Sequence, residues 1–174
     1  MTLTFFLGKK ERSISCCAVI LLFLRCFLSH AQEHPPQPIA LFVNNDQSLN
    51  FGAFYPANSG GTITVSATGM RSTTGDVIQI NQGITYTPAL FEIRALPGTI
   101  VNLQSGSTTV LTGSNGGTMT LTINESDPAS PFITTVPPPG TTQVRVGGTL
   151  TVGNISVNKA GSYSGTFAVT FNQE

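Results

Sequence analysis

Cysteine and histidine are scarce in this chain, and their scarcity excludes several kinds of active site. All three cysteines, Cys16, Cys17 and Cys26, lie near the N-terminus, and His34 is the one histidine after residue 31. The region beyond residue 31 therefore has no disulfide, and its stability must come from core packing. A Cys–His dyad is impossible there, and a zinc site would lack the nitrogen and sulfur donors that it needs.

Charge is equally sparse, at 9% of all residues. After residue 31 the basic side chains are those of Arg71, Arg94, Arg145 and Lys159. They form no basic run, so we expect no nucleic-acid partner and no binding to an anionic membrane. Asp76 and Glu92 are too far apart in sequence to indicate a glycosidase pair. The Asn124–Asp127 segment lacks the spacing of a known calcium loop. We therefore predict no catalytic residue, no metal ion and no cofactor, and hence a protein that is not an enzyme.

The N-terminal 31 residues have the features of a secretory signal peptide. Lys9, Lys10 and Arg12 precede a mostly apolar run, 14–28, and the small-x-small triplet Ser29-His30-Ala31 follows it. We predict cleavage after Ala31, with an uncleaved N-terminal anchor as the alternative. Because Arg25 interrupts the run, it is short of the ~20 residues that a spanning helix needs. The expected location is the periplasm, the cell surface or the extracellular space, with no membrane attachment after cleavage.

The remainder of the chain is typical of an all-β domain. Residues 32–37 contain Pro35 and Pro36 and are predicted to be an extended arm before a single domain, 38–174. That domain is rich in Thr, Val and Ile, has no helical spacing, and is divided by Gly and Pro turns. Loops are expected at 55–61 and 69–76, and an interruption at Gly147-Gly148. Short strands in this number favour an immunoglobulin-like antiparallel β-sandwich, and a closed barrel is the alternative.

The C-terminal segment shows a clear period of two. Tyr163, Gly165, Phe167, Val169 and Phe171 alternate with Ser, Thr and Ala. This alternation predicts a strand with one buried face. Its apolar residues Tyr163, Phe167, Val169 and Phe171 make it the candidate C-terminal edge strand.

Several short motifs occur in an order that resembles a known family. They are Leu49-x-Phe-Gly, Ser59-Gly-Gly-Thr-Ile-Thr-Val, Gly69-x-Arg-Ser, Ala89-x-Phe, Val146-Gly-Gly-Thr-Leu-Thr-Val and Ala160-Gly-x-Tyr-x-Gly-x-Phe. Together they resemble the bacterial family called domain of unknown function 4402 over about residues 38–172. Phe-Gly-x-Phe-Tyr-Pro and Ala-Gly-x-Tyr-x-Gly-Thr are also similar to motifs of the spore coat U family of archaic chaperone–usher pilins. That similarity implies an immunoglobulin-like fold that lacks one strand, which the N-terminal extension of a neighbouring subunit supplies.

These observations predict an exported, non-enzymatic structural or adhesive protein similar to a fimbrial subunit. The candidate strand-exchange segment is 39–43, with Ile39, Leu41 and Val43 on one face, and the acceptor edge is expected beside 163–171. The expected partners are other copies of the chain or fimbrial subunits, together with a periplasmic chaperone. The alternative is a self-contained secreted binding module, for example for surface glycans, in which 39–43 is simply the first strand.

Overall fold

The computed structural model of this protein describes residues 37–104 and 107–174. The predicted signal peptide and all of the predicted arm except Gln37 lie outside the described residues. All the regular secondary structure in these two ranges consists of β-strands, so the prediction of an all-β fold is confirmed for this part of the chain. The strands are β1 Ala40–Val43, β2 Ala53–Val65, β3 Arg71–Ile80, β4 Ala89–Arg94, β5 Ile100–Gln104, β6 Thr108–Gly113, β7 Thr118–Asp127, β8 Phe132–Ile133, β9 Thr142–Val152, β10 Tyr163–Ser164 and β11 Thr170–Gln173.

The larger sheet is organised around β9, and all of its pairings are antiparallel. β7 runs along one side of β9, while the other side is shared by two strands. Thr142–Val146 pairs with β4, and Gly148–Val152 pairs with β2. β1 lies beyond β4, β3 beyond β2, and β6 and β10 beyond β7. Because β2 and β4 pair with different halves of the same edge of β9 and then separate, the sheet curls. A second antiparallel sheet has the order β11-β5-β8.

Alternation along the strands separates a buried face from an exposed one. Ile63, Leu121 and Leu150 point inward and are at most 3% exposed, while the residues on either side of them are threonines that point outward. Val101, Leu103 and Phe132 of the smaller sheet belong to the same buried cluster. The core therefore lies between the inner face of the curled sheet and the three short strands.

The C-terminal segment leaves one sheet and joins the other. Tyr163 lies in β10, which pairs with β6, and Phe171 lies in β11, which pairs with β5. Residues 165–169 between them belong to neither strand. Gly165 passes so close to β6 that a Cβ atom there would lie 2.8 Å from the Val110 carbonyl oxygen. The apolar residues of the segment still pack on the core, with the Phe171 ring centroid 5.7 Å from that of Phe91.

Candidate functional site

A cleft of about 720 Å³ opens between two chain segments on one side of the domain. Residues 48–56 line one wall, and residues 158–165 line the other. The floor consists of inward-facing apolar side chains from the larger sheet and from the C-terminal segment, namely Leu111, Met119, Leu121, Leu150 and Phe167. The cleft therefore leads from solvent directly onto the hydrophobic core.

Each wall of the cleft contains a strand whose outer backbone edge has no ladder partner in the described parts of the chain. On one wall, Ala53–Pro56 of β2 pairs with β3 alone, because β9 pairs with β2 only from Gly61 onward. On the other wall, β10 pairs with β6 alone. Two free strand edges that flank an apolar floor have the chemical groups that an additional extended strand requires.

The C-terminal wall continues past β10 without a regular ladder. Thr109 Oγ1 donates a hydrogen bond to the Thr166 carbonyl at 2.8 Å, and Ser107 Oγ donates to the Ala168 carbonyl at 3.3 Å. Side-chain hydroxyls thus serve as donors in a stretch where a sheet would use backbone N–H groups. This part of the chain is held beside β6 by fewer bonds than a strand would make.

Arg71 fixes the wall formed by residues 48–56. Its Nη1 atom donates to the carbonyl oxygens of Phe51 at 3.1 Å and Ala53 at 3.4 Å, and its Nε atom donates to Gln79 at 3.2 Å. The guanidinium carbon lies 4.5 Å from the centroid of the Tyr86 ring, within the range of a cation–π contact. These contacts hold the wall in place, so Arg71 has a structural role here.

Asn158 and Tyr163 fix the opposite wall. Asn158 is 2% exposed; its Nδ2 donates to the Thr118 carbonyl at 2.8 Å, and its Oδ1 accepts from the Gly153 amide. The Tyr163 hydroxyl donates to the Lys159 carbonyl at 2.9 Å. Sequence reasoning missed Asn158, because a polar residue in a turn normally indicates solvent exposure. Tyr163 was identified from its position in the alternating segment.

β1 contains the candidate strand-exchange residues, and its side chains are poorly buried. Leu41 and Val43 are 40% and 60% exposed, whereas Ile39, just before the strand, packs partly on the core. β1 pairs with β4 of its own chain, in a register that places Ala40 opposite Arg94. The Arg94 guanidinium lies 4.9 Å from the centroid of the Phe42 ring, and Arg94 Nε donates to the Pro139 carbonyl at 3.1 Å. The segment is thus paired internally at an end of the sheet, with apolar side chains in contact with water.

Several carboxylates in the described ranges have structural partners. Glu125 Oε1 accepts from the Ala67 amide at 2.8 Å, and Asp76 accepts from the Ser59 amide at 3.0 Å. Asp127 lies 3.7 Å from Arg145 in a half-exposed ion pair. Among residues 37–104 and 107–174, no group of three or more His, Cys, Asp or Glu side chains is arranged to hold a metal ion. A helix with the length and hydropathy needed to span a bilayer does not occur in these ranges.

Comparison with known proteins identifies one family. The sequence profile of the family described as "Domain of unknown function (DUF4402)" matches residues 41–172. The match extends from the second residue of β1 to the third residue of β11. No curated protein and no solved structure matches the chain. Because the match covers most of the chain and includes both walls of the cleft, this protein belongs to the DUF4402 family.

Proposed function

We propose that this protein is an exported, non-enzymatic structural or adhesive subunit, similar to a fimbrial subunit, that associates through β-strand edges. In this proposal the domain is an immunoglobulin-like sandwich that lacks one strand. The observation that carries it is the cleft, in which the free edges of Ala53–Pro56 and β10 flank a floor of core side chains. A free edge of this kind is a template for pairing with another chain.

An extended segment in the cleft would form hydrogen bonds along both of its edges. Its alternate side chains would point to the floor beside Leu121 and Leu150, where apolar groups are favoured. Full burial of an aliphatic side chain contributes roughly 1.5–3 kcal/mol relative to exposure. Three such residues at alternate positions would therefore provide a substantial part of the free energy of association.

Residues 39–43 of a second copy have the pattern that this cleft requires. Ile39, Leu41 and Val43 share one face, and Leu41 and Val43 are largely exposed in their present position. On β4 the segment is hydrogen-bonded along one edge only. Transfer to the cleft of another copy would add a second ladder and bury these side chains. The prolines of 32–38 would connect the two subunits by an extended tether, because proline favours extended chain without ladder bonds.

The export prediction and the similarity to spore coat U pilins support the same proposal. A chain that exposes an unfilled cleft before assembly needs a transient partner, and a periplasmic chaperone would protect the free edges from aggregation. Other copies or other fimbrial subunits would then replace that partner.

Single-cysteine variants test the proposal, because the chain has no cysteine after residue 31. We expect Leu41→Cys in one copy to form an intermolecular disulfide with Leu111→Cys or Leu49→Cys in another copy under mild oxidation. Phe42→Cys is the matched control, since its side chain would point away from the floor and should give far less cross-linking. Equal cross-linking by Leu41→Cys and Phe42→Cys would show that the strand does not enter the cleft.

A self-contained binding module is the second candidate, and one observation favours it. β1 pairs with β4 of the same chain, as expected of a first strand that stays in its own domain. This candidate predicts a stable monomer on size exclusion at all concentrations. It also predicts no exchange of β1 between labelled and unlabelled copies.

A further inference from the structure

The ladder between β6 and the C-terminal segment stops before β6 itself ends. β10 joins β6 through two residue pairs, although β6 continues back to Thr108. Residues 165–167, which we call the strap, run beside the rest of β6 without forming a strand. A cavity of about 370 Å³ lies between residues 166–168 and residues 107–109. The strap is therefore close to the outer edge of β6 but is not paired with it.

The hydrogen bonds at the two ends of β6 show how this ladder would continue. The Ser114 amide donates to the Ser162 carbonyl at 2.9 Å, so these two residues start a series of hydrogen-bonded pairs. On the other side of β6, the Ile123 amide donates to the Ser107 carbonyl at 3.1 Å, which assigns the odd-numbered residues of β6 to the ladder with β7. Because hydrogen-bonded pairs occur at every second residue of an antiparallel ladder, the next pairs toward the C-terminal segment are Thr112–Ser164, Val110–Thr166 and Thr108–Ala168.

The carbonyl groups of the last two pairs are bonded to side chains. Continued pairing would join the Thr166 carbonyl to the Val110 amide, yet this carbonyl accepts from Thr109 Oγ1 at 2.8 Å. Two residues further on, the Ala168 carbonyl accepts from Ser107 Oγ at 3.3 Å. In both cases the hydroxyl belongs to the residue just before the amide that the ladder would use. The strap is therefore already in the register of the ladder, and it is displaced from β6 by about the reach of a side chain.

Movement of the strap into the ladder would leave its side chains on their present faces. Tyr163 and Phe167 both pack on the core, and their even separation keeps them on one face of an extended strand. Gly165 lies where the chain leaves β6, and a Cβ atom there would lie 2.8 Å from the Val110 carbonyl oxygen. Glycine thus permits the close approach at the point about which the strap would turn. Residues 168–169 would still connect the strap to β11.

A strand that enters the cleft needs the strap in the ladder. Even-numbered residues of this segment bond toward β6, so odd-numbered residues direct their N–H and C=O groups toward the cleft. Within β10 as it stands, Tyr163 is the one residue that does so. Alignment of the strap would add Gly165 and Phe167 at the same spacing. The resulting edge, 163–167, has the same length as the candidate strand-exchange segment 39–43.

We therefore propose that the strap moves into the ladder with β6 when residues 39–43 of a second copy enter the cleft, so that the incoming strand itself completes the wall to which it binds. This inference rests on the proposed function. The incoming strand favours the aligned form because that form alone presents the full edge, and a ligand shifts a protein toward the form that it binds better. Thr109 acts as a latch, since its hydroxyl holds the Thr166 carbonyl until the Val110 amide replaces it.

A disulfide between Val110→Cys and Thr166→Cys measures the movement in the full chain. In the aligned form these residues are directly opposed, with Cα atoms about 5.5 Å apart, which suits a disulfide. Both side chains are exposed, so the replacements leave the core intact. The probe is a synthetic peptide with the sequence of residues 37–46, and its binding is followed separately by fluorescence anisotropy. With saturating peptide we expect the disulfide, identified by mass spectrometry of the linked fragments, to form roughly tenfold faster.

Two further variants separate alignment from general closeness of the chains. Val110→Cys with Ala168→Cys is the matched control, because these positions are two residues out of register, with Cα atoms about 7–8 Å apart. Its disulfide should form slowly with and without peptide. Thr109→Val removes the latch hydroxyl and keeps the side-chain shape. We expect it to speed the disulfide between positions 110 and 166 in the absence of peptide.

The outcomes distinguish this inference from the proposed function. If the peptide binds and the rate of disulfide formation does not change, the inference is overturned and the proposed function stands. If the peptide does not bind, no strand enters the cleft and both are overturned. Rapid disulfide formation without peptide, unchanged by Thr109→Val, would show that the strap is already paired with β6 and would also overturn the inference.

Discussion

Asn158 offers a quantitative test of how the wall formed by residues 158–165 is held. Its side chain joins the start of β7, through the Thr118 carbonyl, to the residue after β9, through the Gly153 amide. At 2% exposure the site has little room for water. Asn158→Ala would leave one part-buried acceptor, the Thr118 carbonyl, and one part-buried donor, the Gly153 amide, without partners. Each such loss costs about 1–3 kcal/mol when the group is fully buried, so for two part-buried groups we expect the unfolding free energy to fall by about 2–4 kcal/mol, below the sum of the full penalties.

Urea denaturation measures this loss directly. With a slope of about 2 kcal/mol per M, the middle of the usual range for small domains in urea, the midpoint of Asn158→Ala should fall by about 1–2 M with an unchanged slope. Asn154→Ala in the same turn is the control, because Asn154 Oδ1 accepts from the amides of Ser156 and Val157, which are exposed and which water can satisfy. A midpoint shift for Asn158→Ala no larger than that of Asn154→Ala would refute the reasoning from burial.

Two further stability predictions follow from single polar contacts. Arg71→Lys retains the charge but loses the forked donors to the Phe51 and Ala53 carbonyls, so we expect a loss of about 1–2 kcal/mol in urea denaturation and faster amide exchange in residues 51–53. Retention of both unfolding free energy and exchange protection would show that the guanidinium does not hold this wall. Thr134 is fully buried and its Oγ1 donates to the Leu96 carbonyl at 2.6 Å, so Thr134→Val should lower the unfolding free energy by about 1–3 kcal/mol. The exposed neighbour Thr135→Val should change it by less than about 0.5 kcal/mol, and equal effects would contradict the argument.

The alternation of buried and exposed side chains along the strands could be predicted from the sequence, because it depends on local geometry. In Thr118–Ile123 and Thr149–Val152 the apolar residues are buried and the threonines point outward, as a period of two requires. Tyr163, Phe167 and Phe171 also pack on the core, although the segment is not the single strand that its alternation predicted, because residues 165–169 are irregular and its two ends join different sheets. The prediction of a β-rich chain with antiparallel pairing depended on these patterns.

Glycine-rich stretches were misread because their effect depends on distant strands. Residues 55–61 were predicted to be a loop, yet β2 continues through them with a shift in register between Pro56 and Gly61. Gly147-Gly148 was predicted to interrupt a strand, yet β9 is continuous from Thr142 to Val152. A Cβ atom at Gly147 would lie 2.5 Å from the Ala67 amide nitrogen, so glycine permits close passage of two chains. Sequence alone does not reveal that neighbour.

For the same reason, only one wall of the cleft could be predicted from the sequence. The alternating segment at 163–171 indicated one wall and an edge strand beside it. The opposite free edge, Ala53–Pro56, overlaps the predicted loop at 55–61. This edge is unpaired because β2 and β4 pair with different parts of β9 and separate from each other. Non-local pairing of this kind is set by the whole topology rather than by any local pattern.

A variant that cannot assemble tests the proposed strand exchange. Leu41→Asp places a carboxylate among the residues that would enter the cleft, where an unpaired charge is strongly disfavoured, so we expect it to remain monomeric on size exclusion. Phe42→Asp is the control with the same charge on the opposite face, and it should assemble as the unaltered chain does. If Leu41→Asp assembles as readily as Phe42→Asp, then residues 39–43 do not enter the cleft.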